Sequence, residues 1–305
     1  MCGITGYIDF NQKTSDGELE KMTHAMTHRG PDGHGFETLY LENFQMGLGH
    51  RRLSIIDLSE GGKQPMSYKD YCICFNGEVY NYHEIKKELI DLGHQFKSTS
   101  DTEVVLHAYD QWGKGCLGKF IGMFAFVIIN IKTKQLFCAR DRAGVKPFYY
   151  YLNDGLFLFS SELKSFHEHK GFDKKLNLSS VAAFMQYGNV PGSHCIFENC
   201  YKLKPGHFLE LTLNNQNDLN QMFPKDQCEY WNVYDSYNKP KLNLSFEEAK
   251  KKTEEILIDA CNYRMVADVP VGVFLSGGYD SASVTALLQK DRTEKLKTFT
   301  ISVPD

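Results

Sequence analysis

No stretch of the 305-residue chain approaches the ~18 consecutive apolar residues of a membrane span, so no membrane partner is expected. Its first residues lack a basic stretch followed by an apolar core, which argues against a secretory signal. Excess positive charge is also missing: 34 Lys and Arg stand against 38 Asp and Glu, a net charge of -4. A broad phosphate-binding face for nucleic acid is therefore not expected. No CxxC pair or His cluster has zinc spacing, and "HEH" at 167–169 falls in a polar stretch that reads as exposed surface. The nine cysteines are odd in number and scattered, several in apolar settings such as "YCICF" and "LFCAR". They read as buried free thiols in a reducing cytoplasm, not as a disulfide framework. Internal repeats are absent. What remains is the composition of a soluble globular protein, 42% hydrophobic and 24% charged, long enough for two domains at roughly 150 residues each.

The first two hundred residues alternate short strands with a few helices. "ITGYIDF" (4–10) reads as a strand, and "DGELEKMTHAMTHRG" (16–30) as a helix capped by Asp16 and stopped by Gly30 and Pro31. "YCICF", "GMFAFVIINI" and "KQLFCAR" are rich in β-branched and aromatic residues, and the second is apolar enough to be buried on both faces. "NYHEIKKELIDLG" predicts a helix with Ile85, Leu89 and Leu92 on one face, closing on Gly93, and "DTEVVLHAYDQWG" predicts another. Residues 214–243 are polar and Asn-rich without a sustained period, so they read as a linker between a domain over 1–213 and a second over 244–305. The second opens with an amphipathic helix from Ser245, with Glu248 completing a capping box. "VGVFLSGGYDSASVTALLQK" then runs strand, glycine turn, helix, and "KLKTFTISV" reads as a further strand: the start of a parallel α/β domain.

That glycine turn carries the first chemical signal. Backbone N–H groups at a helix start attract anions, and Gly277 and Gly278 let the backbone approach a phosphate without Cβ interference. Ser276 and Ser281 add hydroxyl donors, and Asp280 stands where a magnesium ion bridging phosphates could be held. The alternative is an ordinary strand–helix turn capped by Asp280. No Gly-Lys-Ser/Thr follows, so this is not a P-loop.

The second signal lies at the other end. Cys2 offers a thiol, and if Met1 is removed its own α-amine, with a reference pKa of ~7.7–8.0, can serve as base. Asn76 and Gly77 offer a side-chain amide and a backbone N–H for an oxyanion, although Asn-Gly is equally a hairpin turn. Arg52 suits a carboxylate through bidentate pairing, or a surface ion pair. Glu78 and Asp101 suit an ammonium group, though Asp101 could simply cap the helix that follows Ser100.

Taken in order, "MCGITGYI", "HRGPDG", "HRRLSIIDL", "FNGEVYN", "SDTEV", "GMFAFVI", "ARDRAGVKPFYY" and "SSELKSF" closely resemble the glutaminase domain of glutamine-dependent asparagine synthetases. "LSGGYDS" similarly resembles the pyrophosphate loop of the ATP pyrophosphatases, where that family's synthetase domain begins. The resemblance implies an α+β fold: a four-layer αββα N-terminal-nucleophile sandwich, followed by the start of an α/β parallel-sheet ATP-pyrophosphatase domain. It implies Cys2 as nucleophile, Asn76 and Gly77 as oxyanion hole, and Arg52, Asn76, Glu78 and Asp101 as glutamine-binding residues. It implies ATP held by Leu275, Ser276, Gly277, Gly278, Asp280 and Ser281, with magnesium on Asp280. Glutamine, aspartate and ATP would be the small-molecule partners, with ammonia tunnelling between two sites and β-aspartyl-AMP as acceptor; a homodimer is left open. Members of the family continue for roughly as much chain again, so the 305 residues by themselves are expected to perform the glutaminase half-reaction. Two other readings stand beside this one: an amidotransferase for a different carboxylate, on a surface sugar or a peptide, and a truncated, non-catalytic binding or regulatory module.

Overall fold

The computed structural model describes residues 1–216, 219, 227–290 and 292–302. They form two compact units, Met1–Val233 and Tyr234–Asp305. In chain order the strands of the first are β1 (Gly3–Asp9), β2 (Gly33–Tyr40), β3 (Gln45–Arg52), β4 (Met66–Tyr68), β5 (Tyr71–Val79), β6 (Gly122–Asn130), β7 (Gln135–Arg140), β8 (Tyr149–Asn153), β9 (Leu156–Ser160), β10 (Cys200–Lys202), β11 (His207–Thr212) and β12 (Cys228–Glu229). They make two antiparallel sheets, ordered β10-β8-β9-β1-β3-β2 and β12-β11-β7-β6-β5-β4.

Side-chain alternation sorts each strand between two layers. Ile4, Ile8, Met46 and Leu48 of one sheet share a core with Cys74, Ala125, Val127 and Ile129 of the other. Tyr7, between Ile4 and Ile8, faces the opposite way, onto Leu19 and Met22 of α1 (Glu18–His24) and onto Phe166. Helices α2 (Tyr82–Asp91) and α3 (Asp101–Trp112) lie together, α3 on β5, followed by α4 (Cys116–Lys119) and α5 (Leu178–Tyr187). The result is helix, sheet, sheet, helix, the four-layer α+β sandwich. β6 is buried on both faces, with Phe124 to Ile129 at most 2% exposed. Each such side chain is worth about 1.5–3 kcal/mol relative to exposure.

Several local expectations need correction. Asp16 does not cap α1. The N-cap is Gly17, in the left-handed region at φ 82°, and Ser15 bonds Glu18 instead, while Asp16 accepts from the Tyr40 hydroxyl at 3.1 Å. The helix also stops at His24, well before Gly30. The Thr23 and Thr27 hydroxyls bond back to the carbonyls of Leu19 and His24, a local competition that disfavours a continuing helix. Leu92 is exposed because α2 already ends at Asp91, whereas Ile85 and Leu89 are buried. His169 is buried, not exposed: its Nε2 lies 3.0 Å from the Thr14 hydroxyl and its ring packs on Tyr7.

Within the stretch read as a linker, Leu219 is buried in the inter-sheet core and β12 pairs with β11. Residues 217–218 and 220–226 of it lie outside the described residues. Past α6 (Val233–Tyr237), the second unit contains α7 (Phe246–Tyr263), β13 (Gly272–Phe274), α8 (Tyr279–Gln289) and β14 (Lys297–Phe299). Ser245 and Glu248 do form the capping box. β13 and β14 are parallel, Gly272 opposite Lys297. Leu288 is the one buried residue among those described in this unit. No described helix is long and apolar enough to cross a membrane.

Candidate active site

The site is built on the open edge of β5. That strand pairs with β6 from Tyr71 to Val79, but β4 covers its other side only from Tyr71 to Ile73. Beyond that point side chains replace the missing strand. The Phe75 N–H donates to Gln64 Oε1 at 2.6 Å, and the Val79 N–H donates to Asp101 Oδ2 at 3.0 Å. His50 Nε2 donates to the Phe75 carbonyl at 3.2 Å; complete burial pushes this imidazole down to about 3, so it stays neutral. Ladder groups alternate between the two edges of a strand, so the Gly77 N–H, midway between those of Phe75 and Val79, faces the same open side. Asn76–Gly77 is thus strand interior and not a hairpin turn. A Cβ on Gly77 would stand 2.3 Å from the Met123 carbonyl oxygen and 2.7 Å from Phe124 Cα, so only glycine admits β6 at this distance.

A cavity of about 270 Å³ opens against this edge, and Cys2, Arg52, Asn76, Gly77, Glu78 and Asp101 all line it. Cys2 precedes β1; its sulfur accepts the Leu53 N–H at 3.4 Å, and its carbonyl receives Arg29 Nε at 2.8 Å. Arg29 in turn binds Glu162 at 3.0 Å, which ties "HRGPDG" to "SSELKSF". Arg52, at the end of β3, donates to the Ser59 carbonyl at 2.8 Å and to the Asp57 carbonyl, so its named partners are backbone oxygens and not the carboxylate of a surface ion pair. Ser100, not Asp101, caps α3 by accepting the Thr102 N–H, which leaves the Asp101 carboxyl for Val79.

Asn76 is fully buried. Its amide lies 3.3 Å from the Ser161 hydroxyl through Nδ2, and Oδ1 finds no partner. The two amide orientations have the same shape. Because Ser161 Oγ already accepts the Ile4 N–H at 3.1 Å, it has a proton left to give. Turning Oδ1 toward Ser161 satisfies that oxygen and frees the Nδ2 donor for the cavity.

Burial dominates the electrostatics. It pushes Asp101 up to about 7, with the neighbouring Glu78 charge adding to it, and raises Glu78 as well. Two carboxyls that resist ionisation beside each other form a place that gains by receiving a cation. Burial also raises the Cys2 thiol, so a base must take its proton at the moment of attack. Lys146, 4% exposed, lines the same cavity, its ammonium disfavoured by burial and favoured by Glu78 and Cys2. His50, Gln64, Lys146 and Ser161 were not singled out by the sequence. Three lie within its motifs, but Gln64 gave no signal, since its partners, the Phe75 N–H and the Thr102 hydroxyl, lie in other segments.

In the second unit, Leu275 bonds across to Phe299 at 2.8 Å, and the chain then turns through Gly277 at φ 84°, a conformation glycine adopts without strain. The Ser276 and Ser281 hydroxyls are 3.0 Å apart. Gly278 is the N-cap of α8 and supplies no side chain to its N–H groups; Asp280 sits in the first turn and does not cap.

The chain matches the glutamine amidotransferase domain family over residues 1–223 and asparagine synthase over 252–305. The chain belongs to the glutamine amidotransferase family. Among curated members it is 39% identical to a putative asparagine synthetase [glutamine-hydrolyzing] of Methanocaldococcus jannaschii, over 99% of this chain and 59% of that protein. It is 36% identical to asparagine synthetase [glutamine-hydrolyzing] 3 of Bacillus subtilis, over 99% of this chain and 48% of that one. The chain thus spans about half the length of these relatives. Among solved amidotransferases, glutamine phosphoribosylpyrophosphate amidotransferase from B. subtilis superposes with a TM-score of 0.52 at 17% identity, over 95% of this chain and 64% of that one; this likeness is one of fold.

Proposed function

We propose that the first unit hydrolyses glutamine to glutamate and ammonia. The observation that carries the reading is the convergence of a thiol, two oxyanion donors, one guanidinium and two carboxyls on a single small cavity. Arg52 holds the α-carboxylate of glutamine, and Glu78 with Asp101 holds its α-ammonium, whose charge restores both carboxyls to their ionised forms. Once Met1 is removed, the Cys2 α-amine takes the thiol proton as sulfur attacks the side-chain amide carbon. Asn76 Nδ2 and the Gly77 N–H receive the developing oxyanion. The tetrahedral intermediate expels ammonia with the proton carried by the amine, and water then releases glutamate from the thioester, returning the thiol.

The second unit holds the phosphates of ATP with the Ser276 and Ser281 hydroxyls and the uncapped start of α8. The donor set fits: small side chains, two glycines and one carboxylate, Asp280, suited to a magnesium ion that keeps most of its ligands from phosphate and water. ATP supplies activation of a carboxylate when bound. In the longer relatives' arrangement the acceptor is aspartate, giving asparagine; the 305 residues alone perform the glutaminase half.

The test is ammonia release from glutamine by the full chain. Mass measurement of active protein should show Cys2 as the first residue, and Cys2→Ala should abolish hydrolysis with an unchanged circular dichroism spectrum. Parental activity in that variant would sink the assignment.

A further inference from the structure

Outside the active-site cavity, a pair of buried thiols stands at the edge of the first sheet, Cys200 on its outermost strand β10 and Cys195 in the segment that turns into it. An isolated antiparallel bridge joins His194 to Tyr201, and the Lys202 N–H donates to the Ser193 carbonyl at 2.8 Å. One step further along this register, Cys195 stands directly opposite Cys200, across the turn 196–199. Residues so placed have Cα atoms about 5.5 Å apart at most, within the roughly 4.4–6.8 Å that a disulfide spans without backbone movement. Both are buried, at 4% and 2% exposure, and the two thiols are hydrogen-bonded to each other.

The two sulfurs are not equivalent. Cys195 faces a cavity of about 490 Å³ lined also by Tyr149, Leu163, Phe184 and Lys202, so small molecules reach it from one side. Its sulfur accepts from the Cys200 thiol and from the Phe197 and Ile196 N–H groups of the turn, with the Lys202 ammonium nearby. Each of these favours the thiolate, and together they hold Cys195 below the ordinary thiol range despite burial. Cys200 donates to that sulfur and is held protonated, by this bond and by burial. Lys202 is itself fixed by donation to the Val190 carbonyl; burial disfavours its ammonium, which the Cys195 charge favours in return.

From this geometry we infer that Cys195 and Cys200 form a redox-active dithiol, with Cys195 reacting with small hydroperoxides and Cys200 resolving the product into a disulfide. The Cys195 thiolate attacks the distal oxygen of ROOH, breaking the O–O bond to give Cys195–SOH and, with one proton, ROH. Cys200 sulfur then attacks the sulfenic sulfur; its proton leaves with the hydroxyl as water, and the S–S bond closes. Two thiols and ROOH become one disulfide, ROH and water. A low-molecular-weight dithiol returns the pair to its reduced form.

Both cysteines fall in one tryptic peptide, residues 176–202, so mass spectrometry reads the outcome directly. The full chain is reduced, freed of reductant, treated with stoichiometric hydrogen peroxide and alkylated before digestion. The expected peptide is two hydrogens lighter, unalkylated, and restored to a doubly alkylated form by dithiothreitol. Cys200→Ser should trap Cys195 as a dimedone adduct, and Cys195→Ser should leave Cys200 alkylatable after the same exposure. The proposal is overturned if the parent peptide stays a dithiol while exposed Cys228 oxidises, or if Cys195→Ser loses its remaining thiol as fast as the parent. The parent measurement decides the matter without any variant, so a folding defect in either substitution does not obscure it.

Discussion

Asp101 is buried at the mouth of α3, where its carboxyl accepts from the Val79 N–H with backbone N–H groups of the first turn also nearby, and a second carboxyl stands beside it. A carboxyl so placed works against the folded state. Its pKa is raised from 3.8 to about 7, so between those values the folded protein holds more protons than the unfolded chain. By linkage, stability then falls as pH rises from about 4 to about 7 and stays at the lower level above. At about 1.4 kcal/mol per pKa unit the ceiling is about 4 kcal/mol. Asp101→Asn, which keeps an acceptor for Val79, should therefore unfold later than the parent at pH 8 and alike at pH 4, as read by denaturant midpoints. The same variant should bind glutamine at least tenfold more weakly, measured as KM, because the ammonium loses one of its two counter-charges. A variant less stable than the parent at pH 8, with KM unchanged, would remove Asp101 from the site.

At the scale of elements, the decisive feature is the shortness of β4. A full-length neighbour would have taken the N–H groups of Phe75, Gly77 and Val79 into a ladder. With β4 beginning only at Met66, opposite Ile73, Gln64 and Asp101 take the outer two, and Gly77 is left facing the cavity. The opposite edge is as demanding, since β6 approaches too closely for any Cβ at position 77. Gly77→Ala should therefore force β5 from β6. The expected loss is about 1–3 kcal/mol of stability, read by chemical denaturation, together with glutaminase activity well beyond that predicted from the folded fraction. Unchanged turnover would show that the N–H of residue 77 does not meet the oxyanion.

Across the whole molecule, apolar burial is distributed unevenly between the two units. The first has a core between its sheets and a second beneath α1, whereas among the described residues of the second only Leu288 is buried. Phe274, Tyr279, Phe299 and Ile301 of the second unit are exposed. Local opening is governed by such contacts. Amide hydrogen exchange should accordingly be at least about a hundredfold faster in α7 and α8 than in β6, which is dry on both faces. Equal protection in the two units would refute this ordering.

The residues that resemble the amidotransferase family could be read in order along the chain, because each motif is local: Cys2, Arg52, Asn76–Gly77–Glu78 and Asp101 each sit in a short, distinctive stretch. The unbroken apolar run of β6 likewise marked its strand, since burial on both faces is written in residue order. What the order could not state is what lies beside a strand. Whether Asn-Gly turns a hairpin or sits in an open edge depended on where β4 begins. Whether Asp101 caps a helix or accepts from Val79 depended on Ser100 taking the cap first. The neutral His50 and the edge-completing Gln64 emerge only once distant segments meet, and the facing of Cys195 and Cys200 only once the chain turns back at 196–199. A hydrogen bond needs its partner in space, and burial is a property of everything packed around a side chain.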